Sequence, residues 1–510
     1  MIPIRNVLQY LERAASLSPE RTACVDETHS LSYQELCHIS RAVGAALSQR
    51  IRPRQPVAIY MEKGCAALSA FFGVVYAGGF YSYFNPELPV ARLQQIQSVL
   101  GASCVITDQA HRSVMEEIFP ASSILLVEEL MISQEDQSQL AAVRAAMIDT
   151  DPLYVNFTSG STGLPKGVLV SHRSVLDFIP QFAEIFGITQ NDILGNQAPF
   201  DFDVSVKDLY TALYTGAKVQ IIPRAYFSQP TKLMDYLADR EVTVLVWAAS
   251  AMCFVSIMNG FSYRIPSRVR QVLFSGEVMP IKHLMKWKSA LPQARFVNLY
   301  GPTEITCNCT YAILPDRDFA PDEALPIGRA FPNEKVFLLD ENDALVTVPG
   351  QAGEICVSGT ALALGYYADP VRTAQAFTQN PLNTNWYERI YRTGDLARYD
   401  ESGSLYYIGR RDFQIKHMGH RVELGEIEAA AMRCDAVTRA CCTFDAERQR
   451  LHLFYTGSCE KAALLAALKE SLPPFMQPNT AVQLDEMPLN KNGKIDRTAL
   501  AALTKKGAHK

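Results

Sequence analysis

The first 110 residues alternate between short apolar runs and helical segments, and this alternation constrains the fold more than any other feature. Residues 57–60 and 104–107 are typical of strands, whereas residues 66–76 and a segment beginning at Pro89 are typical of helices. Strands that alternate with helices at this spacing predict a largely parallel sheet with helices on both faces. We therefore predict an α/β fold with a large N-terminal domain of doubly wound sheets.

The texture of the sequence changes after residue 323. Short alternating runs with turns, such as residues 353–359 and 404–409, predict a small β-subdomain that completes a large domain of residues 1–411. Residues 412–510 contain helices and strands and predict a small α+β C-terminal domain. Near the N-terminus, a hairpin is expected around residues 23–25 and 31–36.

Residues 158–167, Thr-Ser-Gly-Ser-Thr-Gly-Leu-Pro-Lys-Gly, have the composition of a phosphate-binding loop between two strand-like segments. Their glycines let backbone N–H groups approach an anion, and hydroxyl groups and Lys166 add donors and positive charge. The pattern is not that of the Walker loop, because Pro165 precedes the lysine and Gly167 follows it. A flexible surface hairpin is the alternative for this stretch considered alone.

Composition and charge exclude several classes of protein. A net charge of −5 and a pI near 6.0 provide no basic field for nucleic acid or for an anionic membrane. The twelve cysteines include no CxxC pair and no Cys/His grouping with zinc spacing, so reduced cytosolic thiols are expected. The most apolar window, residues 244–258, is shorter than the roughly 20 residues that span a bilayer and predicts a buried core segment. With no signal-peptide pattern at the N-terminus, we expect a cytoplasmic protein.

Seven stretches that follow one another along the whole chain resemble the adenylation domains of non-ribosomal peptide synthesis, within the superfamily of acyl-CoA synthetases and luciferases. They are residues 31–36, 158–167, 298–304, 353–366, 391–395, 409–428 and 490–497. Among free-standing members, the chain looks closest to D-alanine–carrier-protein ligases, through residues 196–200 and 275–277. The resemblance implies an enzyme in which a substrate carboxylate attacks the α-phosphorus of ATP, pyrophosphate leaves, and the acyl group passes to a thiol.

The resemblance also implies where ATP would bind. Asn298 and Tyr300 would contact adenine, Asp395 would accept hydrogen bonds from both ribose hydroxyls, and Arg410 would support the ribose. The complete set of expected nucleotide-binding residues is Thr158, Ser159, Gly160, Ser161, Thr162, Gly163, Lys166, Gly276, Glu277, Asn298, Tyr300, Gly301, Thr303, Glu304, Asp395, Arg410 and Lys494.

Four residues carry the expected catalytic roles. Glu304, with Thr158 or Thr303 nearby, would hold Mg²⁺, and Lys166 would contact the β- and γ-phosphates. Lys494 would bridge the substrate carboxylate and the ribose or α-phosphate oxygens, and so stabilise charge that develops in the transition state. A non-catalytic nucleotide-binding homologue would be expected to lose residues of this kind, and all four that test this alternative are present, namely Lys166, Glu304, Asp395 and Lys494.

Asp203 carries most of the information about the substrate. In the resemblance its carboxylate pairs with the α-ammonium of an amino acid, a group that the fatty-acid and aryl-acid substrates of other family members lack. The other implied pocket residues are Val204, Lys207, Val246, Leu273, Ser275, Leu299, Cys307, Asn308 and Lys494. Six of these residues together are similar to the lining of serine-activating domains and favour L-serine, namely Asp203, Val204, Leu273, Ser275, Leu299 and Lys494. Lys207 and Asn308 depart from that pattern. D-alanine, cysteine or an acidic amino acid, and a CoA ligase of the same fold, remain alternatives.

Lys207 departs from the serine-type pattern. A buried ammonium without a partner is costly, so one interpretation is an acidic substrate side chain. The interpretation we favour is that Lys207 extends out of the pocket or pairs locally, with Asp203 or preferably with Asp208.

The acceptor of the acyl group is expected to be a separate protein. Only thirteen residues follow Arg497 in the sequence, too few for a carrier domain, so a phosphopantetheinylated carrier protein is the expected partner. Asp412 would be the hinge about which the small domain rotates, withdrawing Lys494 and presenting residues 416–419 to the thiol. The sequence leaves the oligomeric state open.

Overall fold

The computed structural model describes residues 4–160, 164–411, 414–446, 448–489 and 495–506, which form two compact units. The large unit comprises Met1–Asn85, Gly101–Asn156 and Val168–Arg411, and the small unit comprises Pro86–Leu100, Phe157–Gly167 and Asp412–Lys510. Two internal segments thus group with the C-terminal residues, which was not predicted. The role of Asp412 as a hinge stays a prediction, because this residue lies outside the described ranges.

Helices occur throughout the described residues. They are α1 (Leu8–Leu17), α2 (Tyr33–Ser48), α3 (Cys65–Tyr76), α4 (Val90–Leu100), α5 (Arg112–Met115), α6 (Val127–Met131), α7 (Gln137–Ala146), α8 (His172–Phe186), α9 (Val204–Thr215), α10 (Pro230–Asp239), α11 (Ala249–Ile257), α12 (Gly260–Tyr263), α13 (Ile281–Ala290), α14 (Pro370–Ala376), α15 (Leu424–Met432), α16 (Lys461–Ser471) and α17 (Arg497–Lys506).

The strands of the same ranges are β1 (Thr22–Val25), β2 (Ser30–Ser32), β3 (Pro56–Tyr60), β4 (Phe80–Tyr83), β5 (Val105–Thr107), β6 (Ile124–Leu126), β7 (Pro152–Thr158), β8 (Lys166–Ser171), β9 (Ile193–Asn196), β10 (Lys218–Ile221), β11 (Val244–Ala248), β12 (Gln271–Ser275), β13 (Arg295–Tyr300), β14 (Thr310–Ile313), β15 (Arg329–Ala330), β16 (Glu334–Leu339), β17 (Gly353–Gly359), β18 (Gly365–Tyr366), β19 (Phe377–Gln379), β20 (Arg389–Tyr399), β21 (Leu405–Arg410), β22 (Gln414–His417), β23 (His420–Glu423), β24 (Val437–Asp445), β25 (Arg450–Gly457) and β26 (Thr480–Gln483).

The predicted α/β class is confirmed, with mixed rather than purely parallel sheets. One sheet has the order β15-β14-β13-β12-β11-β9-β10-β1-β2, and its centre is parallel, while β14, β15 and β2 pair antiparallel. A second sheet has the order β18-β8-β7-β4-β3-β5-β6. Its strands β3, β4, β5 and β6 run parallel because helical crossovers connect them.

The predicted β-subdomain is an antiparallel sheet in the order β16-β17-β20-β19, with β21 paired to β20. The small unit contains the hairpin β22-β23 and the sheet β24-β25-β26, on which α15 packs. Each sheet contains a strand that is buried on both faces, because residues 353–357 of β17 and residues 451–456 of β25 are all buried.

Two local predictions need correction. The N-terminal hairpin was expected to reach residue 36, but β2 ends at Ser32 because α2 begins there. The Ser32 side chain accepts from the Glu35 N–H and the Glu35 side chain accepts from the Ser32 N–H, which forms a capping box. Residues 244–258 are not buried throughout: they form β11 and then α11, and Ile257 at the helix end is 60% exposed.

Candidate functional site

The carboxyl ends of β11, β12 and β13 bring several predicted pocket residues onto one face of the large sheet. Val246 lies beside Leu273 on the neighbouring strand, and Ala248 lies beside Ser275. Side chains two residues apart on a strand share a face, so Val246, Leu273 and Ser275 point the same way. All three are buried, as is Leu299 near the end of β13. Ligands bind at such carboxyl ends in open α/β sheets.

A tight loop after β13 adds the next residues. Gly301 is required there, because a Cβ at this position would lie 2.4 Å from the Asn308 Cα. The Cys309 N–H donates to the Tyr300 carbonyl at 2.9 Å, so the chain folds back on itself. Cys307 adopts a left-handed backbone conformation with φ of 77°. The loop thereby holds Asn308 and Cys307 close to the end of the strand.

Helix α9 contributes Asp203 and Lys207 to the same unit. The Cys307 thiol donates to the Asp203 carbonyl at 3.1 Å, and Lys207 Nζ donates to Asn308 Oδ1 at 2.6 Å. Lys207 is fully buried, and this burial lowers the pKa of its amine, an effect opposed by the nearby Cys307, Asp203 and Asp208.

The prediction that Lys207 extends out of the pocket is therefore wrong. The residue lies one turn into α9 on a buried stretch of the helix, since residues 204–213 are all buried. Its stem has no route to solvent, and the amide oxygen of Asn308 supplies a hydrogen-bond acceptor. The hydrogen-bond partner of Lys207 is Asn308 in the loop, 101 positions away, rather than the local partners Asp203 and Asp208 that the spacing along the helix indicated.

Asp395 lies at the centre of the predicted ribose site. Tyr300 Oη donates to Asp395 Oδ2 at 2.6 Å, and Arg410 Nη1 donates to Oδ1 at 2.7 Å. Arg410 is opposite Asp395 in the β20-β21 register, so the sheet itself fixes this pair. Burial and the Asp395 charge raise the pKa of Tyr300, which therefore remains a donor. Each carboxylate oxygen has more than one lone pair, so Asp395 keeps capacity to accept from ligand hydroxyls.

Glu304 is fully buried in a short turn after β13. Tyr366 Oη donates to its Oε1 at 2.7 Å, and the Ala363 N–H donates to its main-chain carbonyl at 2.9 Å. A carboxylate oriented in this way by a phenol is a suitable ligand for a hard cation such as Mg²⁺.

The remaining predicted residues of the large unit lie close to these in sequence. Asn298 Nδ2 donates to the Pro326 carbonyl at 2.8 Å, which fixes the orientation of its amide. Gly276 adopts a left-handed conformation, with φ of 98°, directly before Glu277. Val204 and Thr303 are both buried.

In the small unit, the described part of the predicted phosphate loop contacts β23 and α15. Ser159 Oγ donates to the Arg421 carbonyl at 2.8 Å and accepts from the Glu423 N–H at 3.1 Å. The Gly160 N–H donates to Glu426 Oε2 at 3.1 Å. The buried Thr158 Oγ1 has no hydrogen-bond partner within the described ranges. The unsatisfied Thr158 hydroxyl fits a phosphate oxygen as its acceptor, whereas the Gly160 N–H would have to exchange Glu426 for phosphate.

Glu426 is held in place by a second partner, Arg92 on α4, whose Nη1 donates to Glu426 Oε1. Both side chains are buried: Arg92 is 7% exposed and Glu426 is 2% exposed. Burial raises the pKa of Glu426, while Arg92 and the Gly160 N–H oppose the shift. The first residues of the phosphate loop are thus tied to a buried ion pair in this structure.

Several predicted residues cannot be placed. Ser161, Thr162 and Gly163 of the phosphate loop, the hinge residue Asp412 and the catalytic Lys494 lie outside the described residues. Lys166 begins β8 and is buried, in the strand rather than in the loop.

Sequence reasoning missed the supporting roles of Tyr366, Glu426 and Arg92. Tyr366 and Glu426 occur in stretches that carry the resemblance, so closer attention to those stretches could have found them. Arg92 carries no such signal, because it is one basic residue in an amphipathic helix. Asp208 accepts from Asn196 Nδ2 at 2.9 Å, and burial raises its pKa to about 7. The helix spacing offers Asp208 as a partner for Lys207 but gives no indication of Asn196.

Among the described helices, none is both long enough and apolar enough to cross a membrane.

Comparisons with known proteins agree with this arrangement. Residues 11–367 match the model of the AMP-binding enzyme family, and residues 426–494 match that of the AMP-binding enzyme C-terminal domain. The chain is 32% identical over 97% of its length to Tyrocidine synthase 2 of Brevibacillus parabrevis, but spans only 13% of that protein. It is also 32% identical to Zwittermicin A synthase ZmaJ of Bacillus cereus, and the match covers 98% of this chain and 95% of ZmaJ.

Solved structures show the same fold. The crystal structure of IdnL1 superposes with a TM-score of 0.84 at 28% identity, covering 95% of this chain and 99% of that one. An NRPS protein containing adenylation and PCP domains superposes with a TM-score of 0.83 at 25% identity, covering 98% of this chain and 84% of that one.

Proposed function

Because the chain belongs to the AMP-binding enzyme family and is an adenylating ligase of the type used in non-ribosomal peptide synthesis, we propose that it activates a small amino acid as aminoacyl-AMP. ATP is consumed and pyrophosphate is released. The aminoacyl group then passes to the phosphopantetheine thiol of a separate carrier protein. The observation that carries the proposal is the buried cluster of predicted pocket residues, in which the Cys307 thiol donates to the Asp203 carbonyl and Lys207 donates to Asn308. In the family that the chain resembles, a carboxylate at the place of Asp203 pairs with the α-ammonium of the amino acid.

The residues proposed to bind the nucleotide are those that the family resemblance implies. Asp395, already oriented by Tyr300 and Arg410, accepts hydrogen bonds from the ribose hydroxyls. Asn298 and Tyr300 contact adenine. The backbone of residues 158–163 and Lys166 bind the β- and γ-phosphates, and Gly276, Glu277, Gly301 and Thr303 complete the set.

Mg²⁺ is assigned to Glu304, with Thr158 or Thr303 as a further oxygen ligand. The support is the orientation of the buried Glu304 carboxylate by Tyr366. When bound, the ion would neutralise charge on the phosphate oxygens. Lys494 supplies positive charge at the α-phosphate in the adenylation step, and rotation at Asp412 then presents residues 416–419 to the carrier thiol.

L-Serine is the substrate that the pocket residues favour. An ammonium can only donate, so the hydrogen bond from Lys207 orients Asn308 with Oδ1 toward the lysine and leaves its Nδ2 to donate to a substrate hydroxyl. Ser275, at the same strand ends, offers a second hydroxyl. The alternative substrates are cysteine, an acidic amino acid and D-alanine, the last as in the carrier-protein ligases that the chain resembles. The alternative acceptor is free CoA, as in a CoA ligase of the same fold.

Amino-acid-dependent ATP–pyrophosphate exchange tests the proposal. The panel contains the proteinogenic amino acids, D-alanine, D-serine, phosphoserine, and several fatty and aryl acids. We expect strong exchange with L-serine. A preference for D-alanine or an acidic amino acid would support the proposed reaction but refute L-serine as the substrate. Exchange with fatty or aryl acids alone, or no exchange, would refute the proposal.

The second half-reaction needs its own variant. Lys494→Ala is expected to abolish exchange but still to transfer the acyl group from supplied aminoacyl-adenylate to a phosphopantetheinylated carrier protein. Loss of both activities in a folded variant would count against rotation at Asp412.

A further inference from the structure

Two cysteines of the small unit, far apart in sequence, have adjacent thiols. Cys434 follows α15 and Cys459 precedes α16, and their Sγ atoms are 3.2 Å apart although the residues are separated by 25 positions. The sequence drew attention only to the close pairs Cys307/Cys309 and Cys441/Cys442. The proximity of Cys434 and Cys459 is therefore a product of the fold.

The backbone holds both cysteines in place. The Val437 N–H donates to the Cys434 carbonyl at 2.8 Å, and the Cys459 N–H donates to the Ala436 carbonyl at 3.1 Å. Tyr455 Oη donates to the Cys459 carbonyl at 3.0 Å. A disulfide has an S–S distance of about 2.05 Å, so the sulfurs would need to approach by about 1.2 Å, which small side-chain rotations can supply.

The two thiols differ in accessibility. Cys434 is half-buried, whereas Cys459 is only 5% exposed. The hydrogen bond with Cys434 and burial both raise the pKa of the Cys459 thiol. Cys459 therefore keeps its proton, and Cys434 is the thiol that solvent reagents reach first.

We propose that Cys434 and Cys459 form a reversible disulfide when the protein meets hydrogen peroxide. The Cys434 thiolate attacks one peroxide oxygen, giving a sulfenic acid and hydroxide. The Cys459 sulfur then attacks the Cys434 sulfur, and its proton and the sulfenic hydroxyl leave as water. Two thiols thus lose two electrons to the peroxide, and a dithiol reductant restores them.

The disulfide would tie the end of α15 to the start of α16. Helix α15 carries Glu428, which binds Arg497 and the Cys442 N–H, as well as Glu426 at its start. The disulfide would therefore restrain α15, whose Glu426 contacts the predicted phosphate loop. The helix and this contact both lie within the small unit. This role is independent of the amino acid that the enzyme activates.

Peptide mapping of the full-length protein tests the proposal without an activity assay. The protein is treated with hydrogen peroxide, blocked with N-ethylmaleimide, digested without reductant and analysed by mass spectrometry. We expect a cross-linked peptide joining Cys434 to Cys459, about 2 Da lighter than the two thiol peptides because two hydrogens are lost, which dithiothreitol removes. Alkylation of Cys434 should fall at least tenfold after peroxide treatment.

Variants provide the controls. Cys459→Ser should leave Cys434 oxidised no further than sulfenic or sulfinic acid, and Cys253→Ser, which removes another half-buried thiol, should leave the cross-link unchanged. A wild-type protein that forms no cross-link under peroxide, or that cross-links either cysteine to a different one, would overturn the proposal. Because the wild-type peptide map alone decides between these outcomes, a variant that fails to fold does not affect the test.

Discussion

Lys207 Nζ donates a hydrogen bond to Asn308 Oδ1 at 2.6 Å, and neither side chain is more than 1% exposed. The lysine thus orients an amide in the loop that follows β13, at the strand ends where the substrate is expected. Burial lowers the pKa of the Lys207 amine, and the nearby charges of Asp203 and Asp208 oppose this shift. This hydrogen bond favours an interpretation in which Lys207 orients the pocket over one in which it binds an acidic substrate side chain.

Lys207→Met should raise the KM for L-serine about 5- to 30-fold, because loss of one buried hydrogen bond costs roughly 1 to 2 kcal/mol and frees the Asn308 amide to turn. The KM for ATP should stay within twofold. Pyrophosphate exchange with varied serine and ATP measures both, and Lys232→Met, on an exposed part of α10, is the matched control. If the wild type instead activates an acidic amino acid and the variant loses it, Lys207 binds the substrate side chain directly.

Asp395→Asn should raise the KM for ATP about 10- to 100-fold, because a carboxylate that accepts charge-assisted hydrogen bonds is replaced by a neutral amide. Tyr300→Phe removes only the donor to Oδ2 and should have an effect of a few fold. Steady-state exchange kinetics provide the values, with the exposed Asp322→Asn as the control. An unchanged KM for ATP in a folded Asp395→Asn protein would contradict the assignment of this residue to the ribose.

Arg92→Leu should destabilise the small unit by about 3 to 5 kcal/mol, because it leaves the buried Glu426 carboxylate without its cationic partner. The double variant Arg92→Leu/Glu426→Leu should recover much of this loss, since neither charge then remains buried. Urea unfolding of the wild type and the three variants gives the coupling free energy. If the effects of the two substitutions simply add, the coupling free energy is zero, and Arg92 and Glu426 do not stabilise each other.

His172 should make stability depend on pH. It is fully buried, its Nδ1 accepts from the Val7 N–H, and burial lowers its pKa from 6.5 to about 3. Below pH 6.5 this histidine is protonated in the unfolded chain but stays neutral in the folded protein. The free energy of unfolding therefore falls as the pH drops toward 3. The loss from this group is roughly 2 to 3 kcal/mol between pH 6.5 and 4.5.

The measurement for His172 is urea unfolding at several pH values in the wild type and in His172→Leu. The wild type should lose more stability than the variant over this range, by the amount given. Parallel pH profiles of the two proteins would mean that His172 is protonated in the folded state.

The sequence predicted the parts of the molecule that depend on local pattern. The strand-helix alternation around β3, α3 and β5 follows from hydrophobic periodicity, and Tyr300 and Ser275 could be assigned to strand ends because each strand stops at a loop signal. The capping box at Ser32 is also visible in the sequence, but its residues were assigned to a hairpin.

Pairings between distant segments could not be predicted in this way. Glu426 contacts Arg92 across 334 positions, and Lys207 contacts Asn308 across 101. A long polar side chain can reach partners in many directions, and which partner it meets depends on the packing of whole elements. The burial of Lys207 illustrates this, since the helix spacing offered only Asp203 and Asp208 as partners.

The central claim is that the Asp203 carboxylate binds the α-ammonium of an amino acid. The most direct measurement is the KM for the amino acid and the KM for ATP in the exchange reaction of Asp203→Ala and the wild type. The account predicts that the amino-acid KM rises by at least tenfold while the ATP KM changes little. An unchanged amino-acid KM in a folded variant would contradict the claim and favour a substrate without an α-ammonium.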